Sequence, residues 1–170
     1  MRLFAKRWML HSLVASALVL AAPRAARAQD LGIAVGSSAP SAKVTTLDGK
    51  EVDLSQYLGK GVVVMEFWAT WCPNCQELEP TLLSVLKKYD KQVQFIGVAV
   101  SVNQNPTRVK AHVDKHGLPG VQVFDTKGSA TGAYDVPATS YVVVVNKAGK
   151  VVYTGLGGKQ DLDAAIRKAL

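Results

Sequence analysis

Apolar residues in this chain gather into two nearly continuous runs and several helical stripes. Gly61 to Trp68 is apolar almost throughout, with Glu66 as its one charge. Such a run predicts a strand buried on both faces of a sheet. Gln92 to Val100 predicts a second strand of the same kind. Between them Leu78, Leu82, Val85, Leu86 and Tyr89 recur at helical spacing, with Glu77 and Glu79 early and Lys87 and Lys88 late, as a helix dipole favours. Pro106 to His116 predicts a short helix stopped by Gly117, and Ser129 to Tyr134 a further helical turn. Asp161 to Leu170 predicts a closing amphipathic helix, with Leu162, Ala165, Ile166 and Ala169 on one face. Two hairpins are expected: Lys43 to Asp53 around Asp48-Gly49, and Tyr141 to Val145 with Lys150 to Thr154 around Asn146 to Gly149. Alternating strands and helices imply an α/β protein, a central sheet covered on both faces.

Composition adds a core and a compartment. The chain has 170 residues, 48% hydrophobic and 19% charged, which excludes a disordered or collagen-like chain and suits a single domain. The formal charge of +7 suggests an acidic partner until it is located. Arg2, Lys6, Arg7, Arg24 and Arg27 lie in the first 28 residues, which hold no acid; without these five the balance is +2, and a nucleic-acid reading lapses. The same segment has the form of a secretory signal. A positive start precedes the apolar stretch Trp8 to Ala22, and Ala26-Arg27-Ala28 fits a cleavage site. The expected organisation is a signal peptide over 1–28 and one domain over 29–170. An uncleaved anchor is the competing reading, against which the run is short of the roughly 20 apolar residues of a span. Export would place the chain's two cysteines in an oxidising space.

Those cysteines form the chemical motif, Trp71-Cys72-Pro73-Asn74-Cys75, where the buried strand gives way to the helix. A helix start presents unpaired N–H groups and partial positive charge, which would stabilise a thiolate on Cys72 and make it the attacking sulfur. Cys75, one turn on, can resolve a mixed disulfide. Pro73 suits the first helical position, where its missing N–H is no loss. A purely structural bridge closing so short a loop would remove little chain entropy, so redox chemistry is the favoured reading.

With Glu66-Phe-Trp-Ala-Thr-Trp-Cys-Pro-Asn-Cys75, then Glu77, Glu79 and Pro80, the chain resembles the thioredoxin superfamily, and within it the exported thiol-disulfide oxidoreductases of the TlpA/ResA type. Asp48-Gly49-Lys50, Phe95 to Val100 and Asn146 to Val151 extend the resemblance over residues 36–170. It implies a thioredoxin-like central mixed sheet flanked by helices, with an N-terminal hairpin and a helical insertion at about 101–122. It further implies disulfide reduction or exchange outside the cytoplasm, in the periplasm, on protein substrates. The expected companions are a membrane thiol protein as electron donor and clients from cytochrome c or copper-site maturation. The chain is expected to act as a monomer without cofactor. Glu66 takes the place of the superfamily's buried acid, a proton carrier for Cys75; its plain alternative is an edge glutamate reaching solvent. Trp71, Thr139 and Ser140 are the expected substrate-binding residues.

The family sets a cis-proline opposite the cysteine pair. Counted without gaps from Tyr134-Asp-Val136 to the Asn146 turn, that position is Ser140; Pro137 lies three residues early and is the alternative. A cis bond before a non-proline residue costs about 2.5 to 4 kcal/mol, so Thr139-Ser140 is expected to be trans and the loop altered. On this reading Ser140→Pro is expected to be tolerated by the fold and to increase turnover on disulfide substrates.

Metal binding is the second class of function. Cys72, Cys75, His112 and His116 form two ligand-like pairs, but 36 residues separate Cys75 from His112, against ~12 to 15 in zinc fingers. The two histidines continue a polar helical stripe from Arg108, so a solvated face and no metal are expected there. Copper(I) held by the two thiolates alone is the alternative function. A peroxidase reading fails because the pattern Pro-x-x-x-Thr-x-x-Cys does not occur.

Overall fold

The computed structural model describes residues 31–170; the signal-peptide reading falls outside them. Seven strands form one sheet: β1 (Lys43–Thr46), β2 (Glu51–Asp53), β3 (Val62–Trp68), β4 (Val93–Val100), β5 (Val121–Asp125), β6 (Tyr141–Val145) and β7 (Val151–Leu156). Their order across the sheet is β2-β1-β5-β4-β3-β6-β7. β3 runs parallel to β4 and antiparallel to β6, and all seven of its residues are buried. A central strand is covered on both faces, which is why its sequence does not alternate.

Four helices supply the cover: α1 (Pro73–Tyr89), α2 (Pro106–His116), α3 (Ser129–Ala133) and α4 (Leu162–Ala169). On one face Val62, Val64, Val142 and Val144 pack with Leu78, Leu82 and Val85 of α1 and Leu162 and Ile166 of α4. On the other, Met65 and Phe67 join Val109 of α2, Ala130 of α3, Tyr134 and Tyr141. Phe67, fully buried, has its ring 5.5 Å from that of Tyr134; truncating it to alanine is expected to cost about 3 to 5 kcal/mol. The Tyr89 hydroxyl donates to Asp163 Oδ1 at 2.8 Å and ties α1 to α4.

The predicted elements form within a residue or two of their expected bounds, and the fold is the expected thioredoxin-like mixed sheet. One strand goes beyond the sequence reading. Val121–Asp125 lies at the end of the segment assigned to the insertion, yet it is β5, joining the β1–β2 hairpin to β4. Asp125 is fully buried there; it accepts the amides of Ala130 and Thr131 and the Thr131 hydroxyl, so it anchors the start of α3.

Candidate active site at the β3–α1 junction

The chain leaves β3 at Trp68 and starts α1 at Pro73, so the cysteine motif stands at the carboxyl end of the central strands. Cys72 is the N-cap of α1, and its sulfur accepts the Cys75 amide at 3.1 Å. Cys72 and Cys75 are joined as a disulfide, and both are buried. The sequence reading of a sulfur at a helix start is therefore met by a specific donor. Pro73 fills the first helical position, and Pro80 lies inside the helix.

The approach to the motif is clamped. Gln104, just after β4, accepts the Thr70 amide at 2.9 Å and donates to the Val100 carbonyl at 2.6 Å. Trp71 donates its ring N–H to the Val102 carbonyl at 2.8 Å and remains 39% exposed. Its ring borders an apolar depression of about 420 Å³ with Val100, Val102, Thr131, Val136, Ala138 and Thr139. Of the three residues expected to meet substrate, Trp71 and Thr139 are thus brought to one surface.

Ser140 is not on it. It is fully buried with φ +64°, its amide donates to the Phe67 carbonyl at 2.9 Å and its hydroxyl to the Gly157 carbonyl at 3.1 Å. Its own carbonyl accepts from the Gly157 amide and the Gln160 side chain. Ser140 therefore knots the end of β3 to the loop after β7, which corrects its assignment as a substrate contact. Among the described residues every peptide bond is trans, as expected for Thr139-Ser140. The expectation that proline is tolerated at 140 is also corrected. Proline holds φ near −65° and has no N–H, whereas this position needs both a positive φ and a donor.

Behind the cysteines lies a cavity of about 20 Å³, bordered by Glu66, Cys75, Glu79, Trp68, His112 and Gln122 among others. Glu66 is 6% exposed, and its Oε1 has no protein partner; it is not an edge glutamate reaching solvent. Burial, then the negative charge of Glu79, pushes its carboxyl up to about 8. Gly97 pairs with Glu66 across the sheet, and a Cβ there would meet Gln122 and Trp68, so glycine is what lets those side chains close the cavity.

The histidines depart from a solvated face. His112 is half-buried, its ring 5.4 Å from that of Trp68 and stacked on His116 at 4.0 Å. His116 Nδ1 lies 3.2 Å from Glu79 Oε1. Burial, and then His116, lowers the His112 pKa. Sequence reasoning missed this because the contacts come from Trp68 on β3 and Glu79 on α1, neither near in the chain. It missed Gln104 too; the only signal was a polar run at the carboxyl end of a buried parallel strand.

A thioredoxin-like sheet carrying a disulfide at the start of its first long helix defines a thiol-disulfide exchange protein. The chain belongs to the Redoxin family, whose model matches residues 34–170. It is 34% identical over 132 residues to the thiol-disulfide oxidoreductase ResA of Geobacillus thermodenitrificans, covering 76% of this chain and 75% of the relative. It is 32% identical over 137 residues to ResA of Bacillus thuringiensis, covering 79% and 78%. Among solved structures, a thiol:disulfide interchange protein DsbE from Chlorobium tepidum matches with a TM-score of 0.71 and 25% identity, covering 81% of this chain and 98% of that one. The protein is a thiol-disulfide oxidoreductase.

Proposed function

We propose that this oxidoreductase works outside the cytoplasm as a reductase of disulfides in other exported proteins, after removal of residues 1–28. The observation that carries the mechanism is the cavity shared by Glu66 and Cys75 behind a Cys72 sulfur that already accepts an N–H. In the reduced protein, Cys72 as thiolate attacks one sulfur of a substrate disulfide and expels the other as thiolate. Cys75 passes its proton to the Glu66 carboxylate, attacks Cys72 and releases the second substrate sulfur. The substrate disulfide becomes a dithiol, and Cys72–Cys75 becomes the disulfide.

The cavity has room for about one water molecule, which suffices to relay that proton. Trp71 and Thr139 border the surface on which a substrate strand would lie. A membrane thiol protein would return the dithiol, and clients in cytochrome c or copper-site maturation fit the family resemblance. The chain is proposed to act as a monomer. The deciding experiment is the Cys72–Cys75 reduction potential, measured against glutathione or dithiothreitol buffers. A value as low as thioredoxin's, about −270 mV, supports the reductase; one near the strongly oxidising −120 mV assigns it as an oxidase.

A further inference from the structure

A second cluster of chemically capable side chains lies beside the redox pair without being part of it. His112 and His116 are one turn apart on α2, with rings nearly parallel, 11° between planes. Glu79, from α1, reaches the same point. One ligand atom from each of the three lies within 4.8 Å of the others. We propose that Glu79, His112 and His116 form a binding site for a divalent transition ion of imidazole preference, such as zinc.

The donor set suits that class. Two histidines at i and i+4 on a helix present their nitrogens to one point, and a carboxylate completes a three-ligand set that leaves a position open to water. With metal–ligand bonds of about 2.0 to 2.2 Å, tetrahedral donors stand roughly 3.3 Å apart. The 3.2 Å between His116 Nδ1 and Glu79 Oε1 already matches that separation, and the His116 side chain keeps 31% of its surface open to solvent. His112 is held by the Trp68 ring, so one ligand is preorganised. Glu79 and His112 also border the cavity behind the cysteines, so the three side chains converge beside an enclosed polar space and not on open surface.

The site is separate from Cys72 and Cys75, and this gives the test. The oxidised full chain, whose sulfurs are tied up as the disulfide, is titrated with zinc chloride by calorimetry. One ion per chain is expected. Second-sphere changes at metal sites lower affinity 10 to 100-fold, so loss of a ligand in His112→Ala, His116→Ala or Glu79→Gln should lower it by roughly tenfold or more. Zinc should also raise the Tm of the parent and leave that of the double histidine variant unmoved. The Cys72→Ser/Cys75→Ser variant should keep its affinity. Binding seen only after reduction and lost in the double serine variant would assign zinc to the cysteines and overturn the proposal. So would an oxidised protein that takes up no zinc, or takes it up equally well without the histidines.

Discussion

The amide of Cys75 donates to the sulfur of Cys72 at 3.1 Å, so the two redox residues are joined by a hydrogen bond as well as by a disulfide. In the reduced protein that donor is available to a Cys72 thiolate, together with the positive end of α1. Cys72 is therefore the thiol expected to be alkylated first near neutral pH. Cys75→Ser should trap a mixed disulfide with substrate, and Cys72→Ser should abolish insulin reduction while the domain stays folded. Faster alkylation of Cys75 would reverse the roles.

Glu66 makes stability depend on pH. Its carboxyl titrates at about 8 in the fold and at 4.5 when unperturbed. Between these values the unfolded chain gives up a proton that the folded chain keeps. The advantage of the protonated folded form is whole below about 4.5 and is lost as pH rises through 8. At 1.36 kcal/mol per pH unit the full change is on the order of 5 kcal/mol. Urea unfolding of the oxidised protein at pH 5 and pH 9 should show this decline beside other titrations, and Glu66→Gln should remove most of it. An equal decline in the variant would show that Glu66 is not its source.

The same residue should appear in the kinetics. If Glu66 takes the Cys75 proton, stopped-flow measurement of mixed-disulfide resolution should accelerate as pH rises toward 8. Glu66→Gln should flatten that rise and slow resolution by about 100-fold, the lower end of what a positioned acid–base group contributes. An unchanged profile would mean that Cys75 loses its proton directly to solvent.

Ser140 supplies a backbone test. Ser140→Pro removes the donor to the Phe67 carbonyl, and leaving that buried acceptor unpaired should cost about 1 to 3 kcal/mol before any cost of moving φ. Ser140→Gly keeps the amide and accepts the positive φ, so it should stay close to the parent in stability. Pro137→Ala, in an exposed part of the loop, should be nearly neutral. Chemical denaturation of the three variants checks this ordering, and a stable Ser140→Pro would show that the loop adopts another conformation.

Gln104 is expected to matter for precision of the motif. Gln104→Ala frees the Thr70 amide and the Val100 carbonyl together, and should slow exchange more than it lowers Tm. Insulin-reduction rates and thermal melts of the variant, measured together, separate the two effects.

Strand β3 was legible because a run with one charge in eight residues can hardly be anything but a central strand. Helices α1, α2 and α4 were legible from apolar spacing and from Pro73, Gly117 and Asp161 at their ends. Cys72 and Cys75 were legible because three-residue spacing and a helix start are local properties. β5 was not: its five residues are short and mixed, and only pairing with β1 on one side and β4 on the other makes them a strand. Ser140 could be placed opposite the cysteines by counting, but its left-handed φ and its bonds to Phe67, Gly157 and Gln160 depend on where three separate segments meet. His112 reads as one polar stripe residue among several until Trp68 and Glu79 are beside it. Periodicity and end signals act within a few residues, so sequence determined the elements and the reactive pair. The burial of Glu66, the clamp at Gln104 and the Glu79–His112–His116 cluster depend on tertiary contacts such as Thr70–Gln104 and Glu79–His116, 34 and 37 residues apart, and only the packed structure decides them.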